Sequence, residues 1–288
     1  MTAPDVDEKA AAATTPGQSA APDKITGENF PVALRVLPAR VRADLVAVYR
    51  YARFVDDLGD ELPGDREVAL KTAAEDVRAV YAGETPQSPE VAGIARLARR
   101  VPQEPWLRLV EANLLDQRQD RYPTFEDLLD YCVLSANPVG EVVLHVFGQA
   151  TPERVALSDR ICTGLQIVEH LQDVGEDYRA GRVYLPAEDL TRFGVDEAAL
   201  AAPRADPALR ALLAFETDRA LAWLNSGAML VPTLHGWARV AVSAYLNGGR
   251  AAAAGLRRAG FDPLAGVPKP TKRQVAATWL RESVRRPG

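Results

Sequence analysis

The sequence predicts an all-α protein, and three observations support that fold class. Alanine, leucine, valine and arginine are abundant in the 288 residues, whereas aromatic residues make up only 7%, a composition that favours helices. Apolar residues recur at intervals of three and four along most of the chain, which is the period of a buried helical face. No long stretch of the sequence alternates between apolar and polar residues as a half-buried strand would.

The helices can be predicted in order from this spacing and from the residues that end them. Helical periodicity begins near Glu28, is broken at Pro38 and resumes as an apolar stripe from Val41 to Val55. Asp56 and Asp60 continue the same stripe. Further helices are predicted at residues 67–81, 91–100, 104–116, 124–135, 139–147, 152–177, 189–193, 206–226, 232–246, 249–260 and 271–285.

The first residues differ in composition from the rest of the chain. Residues 1–24 are rich in Ala, Thr, Pro, Asp and Gln, so we expect a disordered leader before a single helical domain over residues 25–288. The leader has no apolar core of the kind that a secretory signal contains, and no run of 18 apolar residues follows it. We therefore expect a cytoplasmic protein, with peripheral contact to the inner face of the cell membrane as an alternative.

Charge and cysteine content exclude several classes of protein. The formal net charge is −5, so a general nucleic-acid binder is not expected. Cys132 and Cys162 lie in apolar helical segments without metal-type spacing, which indicates free thiols in a reducing compartment. The sequence shows no Gly-rich dinucleotide fingerprint, which argues against a reductase step within this chain.

Two carboxylate clusters are the main indication of chemistry. Asp56 and Asp60 lie four residues apart, as do Asp173 and Asp177, so each pair occupies one face of a helix, one turn apart. Glu169 adds a third acid one turn before Asp173. Because like charges at this spacing repel, we expect cations between them. Carboxylate oxygens without accompanying His or Cys suit Mg²⁺, which usually shares its ligands with the phosphates of a substrate.

Arginines lie next to both clusters. Arg53 precedes Asp56 by three residues, while Arg179 and Arg182 follow Asp177 closely. Guanidinium groups bind phosphate oxygens bidentately, so acids that hold Mg²⁺ beside arginines suit a diphosphate leaving group. Apolar stripes on the same helices would wall a long cavity. The combination predicts ionisation of an allylic or cyclopropylcarbinyl diphosphate in a pocket that excludes water.

Simpler interpretations remain for single residues. An acidic turn at a helix end is commonly solvated, and we expect Asp57 and Glu176 either to be solvated or to support the binding residues without contacting the ligand themselves. Trp223 and Trp237 are expected in the core. Surface or structural roles are expected for Arg108, Arg118, Arg121, His145, His170 and His235. An unrelated helical binding module with acidic faces would explain both clusters without catalysis.

The clusters and their surroundings resemble the squalene and phytoene synthase family. Residues 49–61 (YRYARFVDDLGDE) are similar to the first aspartate-rich motif of that family. Residues 173–177 (DVGED) and 181–186 (GRVYLP) are similar to the second motif and the flap that follows it. Residues 131–132 (YC) and 135–140 (SANPVG) are similar to a mid-chain helix that lines the cavity. The match continues in order and spacing into the late 270s.

The resemblance implies an all-α isoprenoid-synthase fold with a central cavity, across which the two motifs hold Mg²⁺ and the substrate diphosphate. The metal would be bound by Asp56, Asp60, Asp173 and Asp177. The diphosphate would be bound by Arg53, Gln166 and Arg182. The side chains near the reacting carbons would be Tyr131 and Tyr184. The tunnel for the hydrocarbon chain would be lined by Ala136, Gly140 and Gly164.

Residues 169–173 depart from the pattern of the condensing enzymes in this family. Those enzymes commonly have Asn-x-x-Arg-Asp here, whereas this chain has Glu169 and Gln172 in place of Asn and Arg. Together with residues 28–31 (ENFP), this departure resembles the hopanoid-pathway branch, whose members ionise presqualene diphosphate and capture the cation with water to give hydroxysqualene. Asn137 and Glu169 are then the polar groups expected to orient that water.

Alternatives remain within and outside the family. A presqualene-diphosphate, squalene or phytoene synthase would condense two prenyl diphosphates in the same kind of site. A catalytically silent, family-like assembly protein would be expected to lose motif aspartates, and this chain keeps all four. Functional coupling to other enzymes of the squalene pathway is expected, as is contact of a basic C-terminal segment with anionic lipid. The basic residues of that segment are Lys269, Lys272, Arg273, Arg281, Arg285 and Arg286.

Overall fold

Helices make up nearly all of the regular structure in the computed structural model, which describes residues 37–265. Within that range, the only strand-like pairing is one isolated bridge between Arg121 and Val183. The all-α prediction is therefore confirmed for the described residues. The predicted leader (1–24), the helical start near Glu28 and the predicted helix at 271–285 lie outside them.

Eleven α-helices follow one another in the described part of the chain. In order they are α1 (Ala39–Asp60), α2 (Arg66–Ala82), α3 (Pro89–Ala95), α4 (Glu104–Asp116), α5 (Phe125–Ser135), α6 (Asn137–Val146), α7 (Pro152–Arg179), α8 (Ala187–Phe193), α9 (Pro207–Gly227), α10 (Leu230–Thr233) and α11 (Gly236–Arg258). Two 3-10 turns, Glu197–Ala201 and Pro263–Ala265, complete the list. None of the helices between residues 37 and 265 is long and apolar enough to cross a membrane.

Side-chain caps explain where many of these helices begin. At the starts of α2, α3, α5, α7 and α9, a side-chain oxygen accepts a hydrogen bond from a backbone N–H of the first turn. Such a bond satisfies a donor that has no partner within the helix. The capping residues are Asp65, Ser88, Thr124, Thr151 and Asp206.

Two predicted helix boundaries were wrong. The helix predicted at 91–100 ends at Ala95, and the following turn directs Arg96 and Arg100 onto the buried Asp44, with N–O distances of 2.9 and 2.8 Å. The helices predicted at 232–246 and 249–260 are instead the short α10 and the continuous α11. The gap predicted at residues 247–248 lies inside α11, and the adjacent Gly249 lies at a close helix contact, where an added Cβ would be 2.5 Å from Leu165 Cδ2.

The core consists of two apolar clusters. One gathers side chains of α1 to α4 and α6, and its centre is Tyr51, whose hydroxyl donates to the Trp106 carbonyl at 2.9 Å. The other surrounds α7, α9 and α11. Helices α7 and α9 approach closely: an added Cβ at Gly164 would lie 2.9 Å from Leu224 N and 3.0 Å from Ala220 O. This contact fixes α7, which carries the second aspartate motif.

Several single-residue expectations can be compared with the structure. Cys132 and Cys162 are free thiols, as predicted. Trp237 was wrongly expected in the core, because it lies in the first turn of α11 and is 42% exposed. Arg108 was wrongly expected at the surface. Its side chain is only 16% exposed, because α4 packs on α6 and brings its guanidinium to Glu141.

A buried charged cluster joins α8 to α9. Asp189 and Glu216 are 3% and 1% exposed, and both accept hydrogen bonds from Arg219 Nη1, at 2.8 and 3.1 Å. The Arg219 guanidinium also lies over the rings of Phe125 and Phe215. Burial raises the pKa of Glu216 to about 8, and hydrogen bonding to Asp189 acts in the same direction. At neutral pH, Glu216 is therefore mainly protonated.

Replacing Gly164 with alanine should destabilise the protein. Overpacking against backbone atoms of α9 costs about 1–3 kcal/mol, which exceeds the ~1 kcal/mol that alanine gains over glycine inside a helix. The matched control is Gly248→Ala in α11, where an added Cβ meets no described atom within 4 Å, so this variant should be unchanged or more stable. Urea unfolding monitored by circular dichroism measures both. Equal stabilities for the two variants would contradict the packing role of Gly164.

The stability of the protein should fall as pH rises from about 4 to about 8 because of Glu216. Its folded pKa of about 8 lies above the unfolded value of about 4.3, so the contribution is complete below pH ~4 and is lost as pH rises through the folded pKa. Glu216→Gln, which keeps a neutral hydrogen-bonding side chain, should flatten this part of the profile of thermal midpoint against pH. Asp218→Asn changes an exposed acid on the same helix and should leave the profile as it is. An unaltered slope in Glu216→Gln would refute the assignment.

Candidate functional site

The two aspartate motifs line one pocket with a volume of about 390 Å³. This volume is within the range of small-molecule sites, about 300–1,000 Å³. The predicted site residues that line the pocket are Arg53, Asp56, Asp60, Tyr131, Gln166, Glu169, Asp173, Asp177, Arg182 and Tyr184. We call this cavity the aspartate pocket.

The end of α1 forms the first wall of the aspartate pocket. Asp56 and Asp60 lie one turn apart in the last two turns of this helix. Helix α4 packs beside them, and Asn113 Nδ2 donates to Asp56 Oδ1 at 3.2 Å. Gln117 donates to the Gly59 carbonyl at 3.1 Å. The first motif is therefore held in place by amide side chains of α4 and of the residue that follows it.

Arg53 enters the pocket from the same end of α1. Its Nε lies 2.9 Å from Asp57 Oδ1, and its Nη2 lies 3.2 Å from Glu61 Oε1. These two acids are partly or largely exposed and do not line the pocket. Asp57 thus lies outside the pocket and orients a guanidinium that faces it.

Helix α7 forms the opposite wall. Residues 166, 169, 170, 173 and 177 follow the three-and-four spacing of one helical face, and all five line the pocket. Glu169 therefore faces the same pocket as Asp173, as the sequence predicted. Gln172 is half-buried and does not line the pocket. Glu176 is exposed, as expected.

The flap (residues 181–186) connects the two walls. Arg182 Nη2 donates to Asp60 Oδ1 at 2.6 Å, which joins the flap behind the second motif to an acid of the first motif. The flap is anchored by the Val183 amide, which donates to the Asp120 carbonyl at 2.9 Å. Arg121 was expected at the surface, but it too reaches the flap and donates to the Gly181 carbonyl at 2.6 Å.

An aromatic wall lies between the two motifs. Tyr131 and Tyr184 have ring centroids 5.5 Å apart, and Tyr184 stacks on His170 at 3.7 Å with an interplanar angle of 12°. The Tyr131 hydroxyl donates to Asp116 Oδ2 at 2.9 Å. Burial raises the pKa of both tyrosines well above the ordinary value, so both remain neutral phenols.

More carboxyl groups than guanidinium groups line the pocket. Six carboxyl side chains and two guanidinium groups line it. Asp56 is reached by water, yet the surrounding pocket replaces much of its hydration, and this desolvation raises its pKa to about 6. Desolvation also raises the pKa of Asp116 to about 6, with Asp60 and Asp56 acting in the same direction. The Asp116 Oδ1 atom is buried and has no hydrogen-bond partner among residues 37–265.

The donor set fits Mg²⁺ held partly by a substrate. Within residues 37–265, no three carboxyl, imidazole or thiol groups gather closely enough to enclose a metal ion by themselves. Mg²⁺ usually keeps several waters and takes oxygen ligands from substrate phosphates, so a cage made only of protein is not required. The protein ligands facing the pocket would be Asp56, Asp60, Asp173 and Asp177.

The other predicted site residues lie at helix contacts rather than on the pocket wall. Asn137 is buried and accepts a hydrogen bond from Thr163 Oγ1 at 3.1 Å, between α6 and α7. Ala136 is buried at the start of the same helix. An added Cβ at Gly140 would collide with Ser158 and Cys162 of α7, and Gly164 lies against α9. Close packing of α7 thus accounts for the small residues at 140 and 164.

Asn113, Asp116 and His170 line the pocket with polar groups that the sequence did not assign to the site. Asn113 and Asp116 lie three residues apart on the apolar helix α4, and this spacing of polar residues was the available signal. His170 was expected to have a structural or surface role, and its ring lines the pocket. Its position four residues after Gln166 and three before Asp173 places it on the acidic face of α7.

Sequence comparison relates the chain to enzymes of isoprenoid metabolism. A sequence model of the family described as squalene/phytoene synthase matches residues 24–281. A hydroxysqualene synthase of Rhodopseudomonas palustris is 37% identical over 205 residues, covering 69% of each chain. A presqualene diphosphate synthase of that organism is 32% identical over 213 residues, covering 72% of this chain and 76% of that protein. A phytoene synthase of Mycobacterium tuberculosis is 32% identical over 222 residues, covering 73% and 71%.

Solved structures show the same architecture. The squalene synthase HpnC of Alicyclobacillus acidocaldarius has a TM-score of 0.77 and 40% identity, and the match covers 82% of this chain and 91% of that one. A dehydrosqualene synthase in complex with a ligand has a TM-score of 0.83 at 24% identity, covering 90% and 92%. These matches confirm the predicted fold.

Replacing a pocket aspartate should abolish turnover without unfolding the protein. Asp56→Asn and Asp173→Asn each remove an expected Mg²⁺ ligand, and the expected loss is about 100-fold or more, because a metal contributes several kcal/mol and each ~1.4 kcal/mol is a factor of ten. Diphosphate release measures the loss, and circular dichroism checks the fold. Glu176→Gln, an exposed acid beside the second motif, is the control and should keep full activity. Normal turnover in either aspartate variant would exclude the metal role of that residue.

Proposed function

Since the chain belongs to the squalene/phytoene synthase family, whose enzymes act on isoprenoid diphosphates, we propose that it is a Mg²⁺-dependent hydroxysqualene synthase. Its substrate is presqualene diphosphate. The carbon–oxygen bond to the diphosphate breaks with its electron pair leaving on oxygen, the resulting cation rearranges, and water adds and loses one proton. The products are hydroxysqualene and diphosphate, and no reductant is consumed.

One observation supports the ionisation step of this proposal. The aspartate pocket brings both acidic motifs together with Arg53 and Arg182, and Arg182 bridges the two walls through Asp60. The guanidinium groups and Gln166 hold the diphosphate oxygens. Asp56, Asp60, Asp173 and Asp177 would hold Mg²⁺, which would neutralise the charge that develops on the leaving group. This complete set of groups also argues against the alternative of a catalytically silent assembly protein.

The aromatic wall is suited to a carbocation. Tyr131 and Tyr184 present neutral rings beside the diphosphate site, and the negative faces of such rings attract cations. Their raised pKa values keep both hydroxyls protonated, so neither side chain is a phenolate that would trap the cation covalently. The wall therefore stabilises the cation while leaving it available to water.

Glu169 is the group that we propose orients the water. It lines the pocket, whereas Asn137, the other candidate, is buried and already accepts a hydrogen bond from Thr163. A carboxylate in this position accepts the proton that water loses as it adds to the cation. The condensing relatives have a neutral amide at the same place in the sequence pattern, so Glu169 also provides a basis for the difference in product.

The relatives support this assignment and also define the alternative. In Rhodopseudomonas palustris, the hydroxysqualene synthase is 37% identical to this chain, whereas the presqualene diphosphate synthase is 32% identical. Phytoene and presqualene diphosphate synthases nevertheless match most of the chain. Condensation of two prenyl diphosphates is therefore the alternative reaction. Because substrate and product are lipids, we place the enzyme in the cytoplasm at the inner face of the cell membrane.

The purified protein should convert presqualene diphosphate to hydroxysqualene in the presence of MgCl₂ and the absence of NADPH. Mass spectrometry of the lipid extract identifies the alcohol, and oxygen from ¹⁸O-labelled water should appear in it. Farnesyl diphosphate alone should give little or no product, because the proposed reaction starts from presqualene diphosphate and does not join two prenyl diphosphates. Efficient formation of squalene, phytoene or presqualene diphosphate from simple prenyl diphosphates would overturn the proposal in favour of condensation.

The double variant Glu169→Asn, Gln172→Arg should form less alcohol from presqualene diphosphate. It removes the carboxylate that faces the pocket and restores the residue types of the condensing pattern. The single variant Gln172→Arg serves as the comparison, since Gln172 does not line the pocket and its change alone should have the smaller effect. The measured quantity is the fraction of alcohol among all lipid products. An unchanged fraction in the double variant would exclude Glu169 from water capture.

A further inference from the structure

His170 lies at the centre of the aspartate pocket, where three different kinds of side chain meet its ring. Its imidazole stacks on Tyr184 of the flap with a centroid distance of 3.7 Å. Its Nε2 lies 3.1 Å from Gln166 Nε2, and its Nδ1 lies 3.8 Å from Asp177 Oδ2. One ring thus contacts the flap, an amide assigned to the diphosphate and an acid assigned to the metal.

The chemistry of these contacts determines the tautomer of the ring. The Gln166 amide nitrogen carries only donor hydrogens, so the His170 Nε2 that it contacts must be the acceptor. The ring proton of neutral His170 is then on Nδ1, the atom that faces Asp177. The imidazole consequently accepts on one edge and donates on the other, while its face remains available for the Tyr184 ring.

The stack on His170 restricts rotation of the Tyr184 ring. The backbone of the flap is anchored by the Val183 amide, and the orientation of the Tyr184 ring then depends on side-chain contacts across the pocket. His170 provides a nearly parallel partner on α7, and Tyr122 stacks at the longer distance of 5.6 Å. A ring held at 3.7 Å cannot tilt without losing contact with the imidazole.

We propose that His170 is a positioning residue, whose imidazole fixes the Tyr184 ring relative to the diphosphate site and thereby decides which carbon of the cation water reaches. This inference rests on the proposed function, because it concerns the cation formed in the aspartate pocket. The stack controls the product, and the two polar edges of the ring control the placement of Gln166 and Asp177.

Two variants separate the stack from the polar contacts. His170→Phe keeps a flat ring against Tyr184 and loses both nitrogen atoms, whereas His170→Leu loses the ring as well. The matched control is His145→Leu, a half-buried histidine on α6 that lies beside Glu141 and outside the pocket. Two quantities are measured for each protein: the fraction of hydroxysqualene among the alcohols formed, and the Kd of inorganic diphosphate in the presence of MgCl₂ by calorimetry.

The expected pattern has two parts. His170→Leu should lower the hydroxysqualene fraction in favour of alcohols captured at other carbons, and His170→Phe should restore it. Both variants should bind diphosphate about two- to tenfold more weakly, the equivalent of about 0.5–1.5 kcal/mol, because both lose the contacts to Gln166 and Asp177. His145→Leu should match the unmodified protein in both measurements.

A merely structural role for His170 would change the thermal midpoint but neither of these quantities. The proposal is overturned if His170→Leu gives the unmodified product fraction and Kd, or if His170→Phe fails to restore the product fraction. Should His170→Leu not fold, Tyr184→Leu removes the same stack from the flap side and must shift the products alike. The diphosphate titration does not depend on which lipid is formed, so absence of hydroxysqualene from the unmodified protein would reject the proposed function separately.

Discussion

Carboxylates confined in one pocket repel one another, and much of the surrounding structure holds them together against this repulsion. Six of them face the aspartate pocket, and two arginines are too few to balance their charge. Desolvation in the pocket is the main cause of the raised pKa values of Asp56 and Asp116, and repulsion from Asp60 acts in the same direction. The repulsion also explains why Asn113 and Gln117 hold the first motif and why the flap is anchored. The anchored flap keeps Arg182, a compensating positive charge, beside Asp60. A site of this kind is completed by a cation and a phosphate group together.

The rigid framework around the pocket allows this charge to be concentrated. Helix α7 packs against α6 through Gly140 and against α9 through Gly164, so backbone and side chains approach closely on two sides. The third side of the same helix is the acidic face. Stability from the apolar contacts therefore offsets the repulsion on the polar side, and the second aspartate motif stays fixed without depending on its ligand.

The sequence was sufficient for the fold and for most of the pocket wall, because both follow from local periodicity. The spacing of apolar residues identified nearly every helix, and the spacing of acids on α1 and α7 identified both motifs. Asn113, Asp116 and the stack of His170 on Tyr184 could not be predicted in this way, since they depend on how α4 packs against α1 and α5 and on how the flap meets α7. For the same reason the gap predicted at residues 247–248 was wrong: glycines inside a closely packed helix and glycines that break a helix look alike in sequence.

The continuity of α7 has a consequence for how the chain can change. One unbroken helix of 28 residues carries both the contact with α9 and, half a turn further along, the start of the acidic face at Gln166. Each residue of a helix advances the side-chain direction by about 100°. An insertion or deletion of one residue just after Gly164 would therefore turn the entire acidic face away from α1, even with every aspartate retained. Length variation in this protein is thus confined to the loops, whereas α7 must keep its register to the residue.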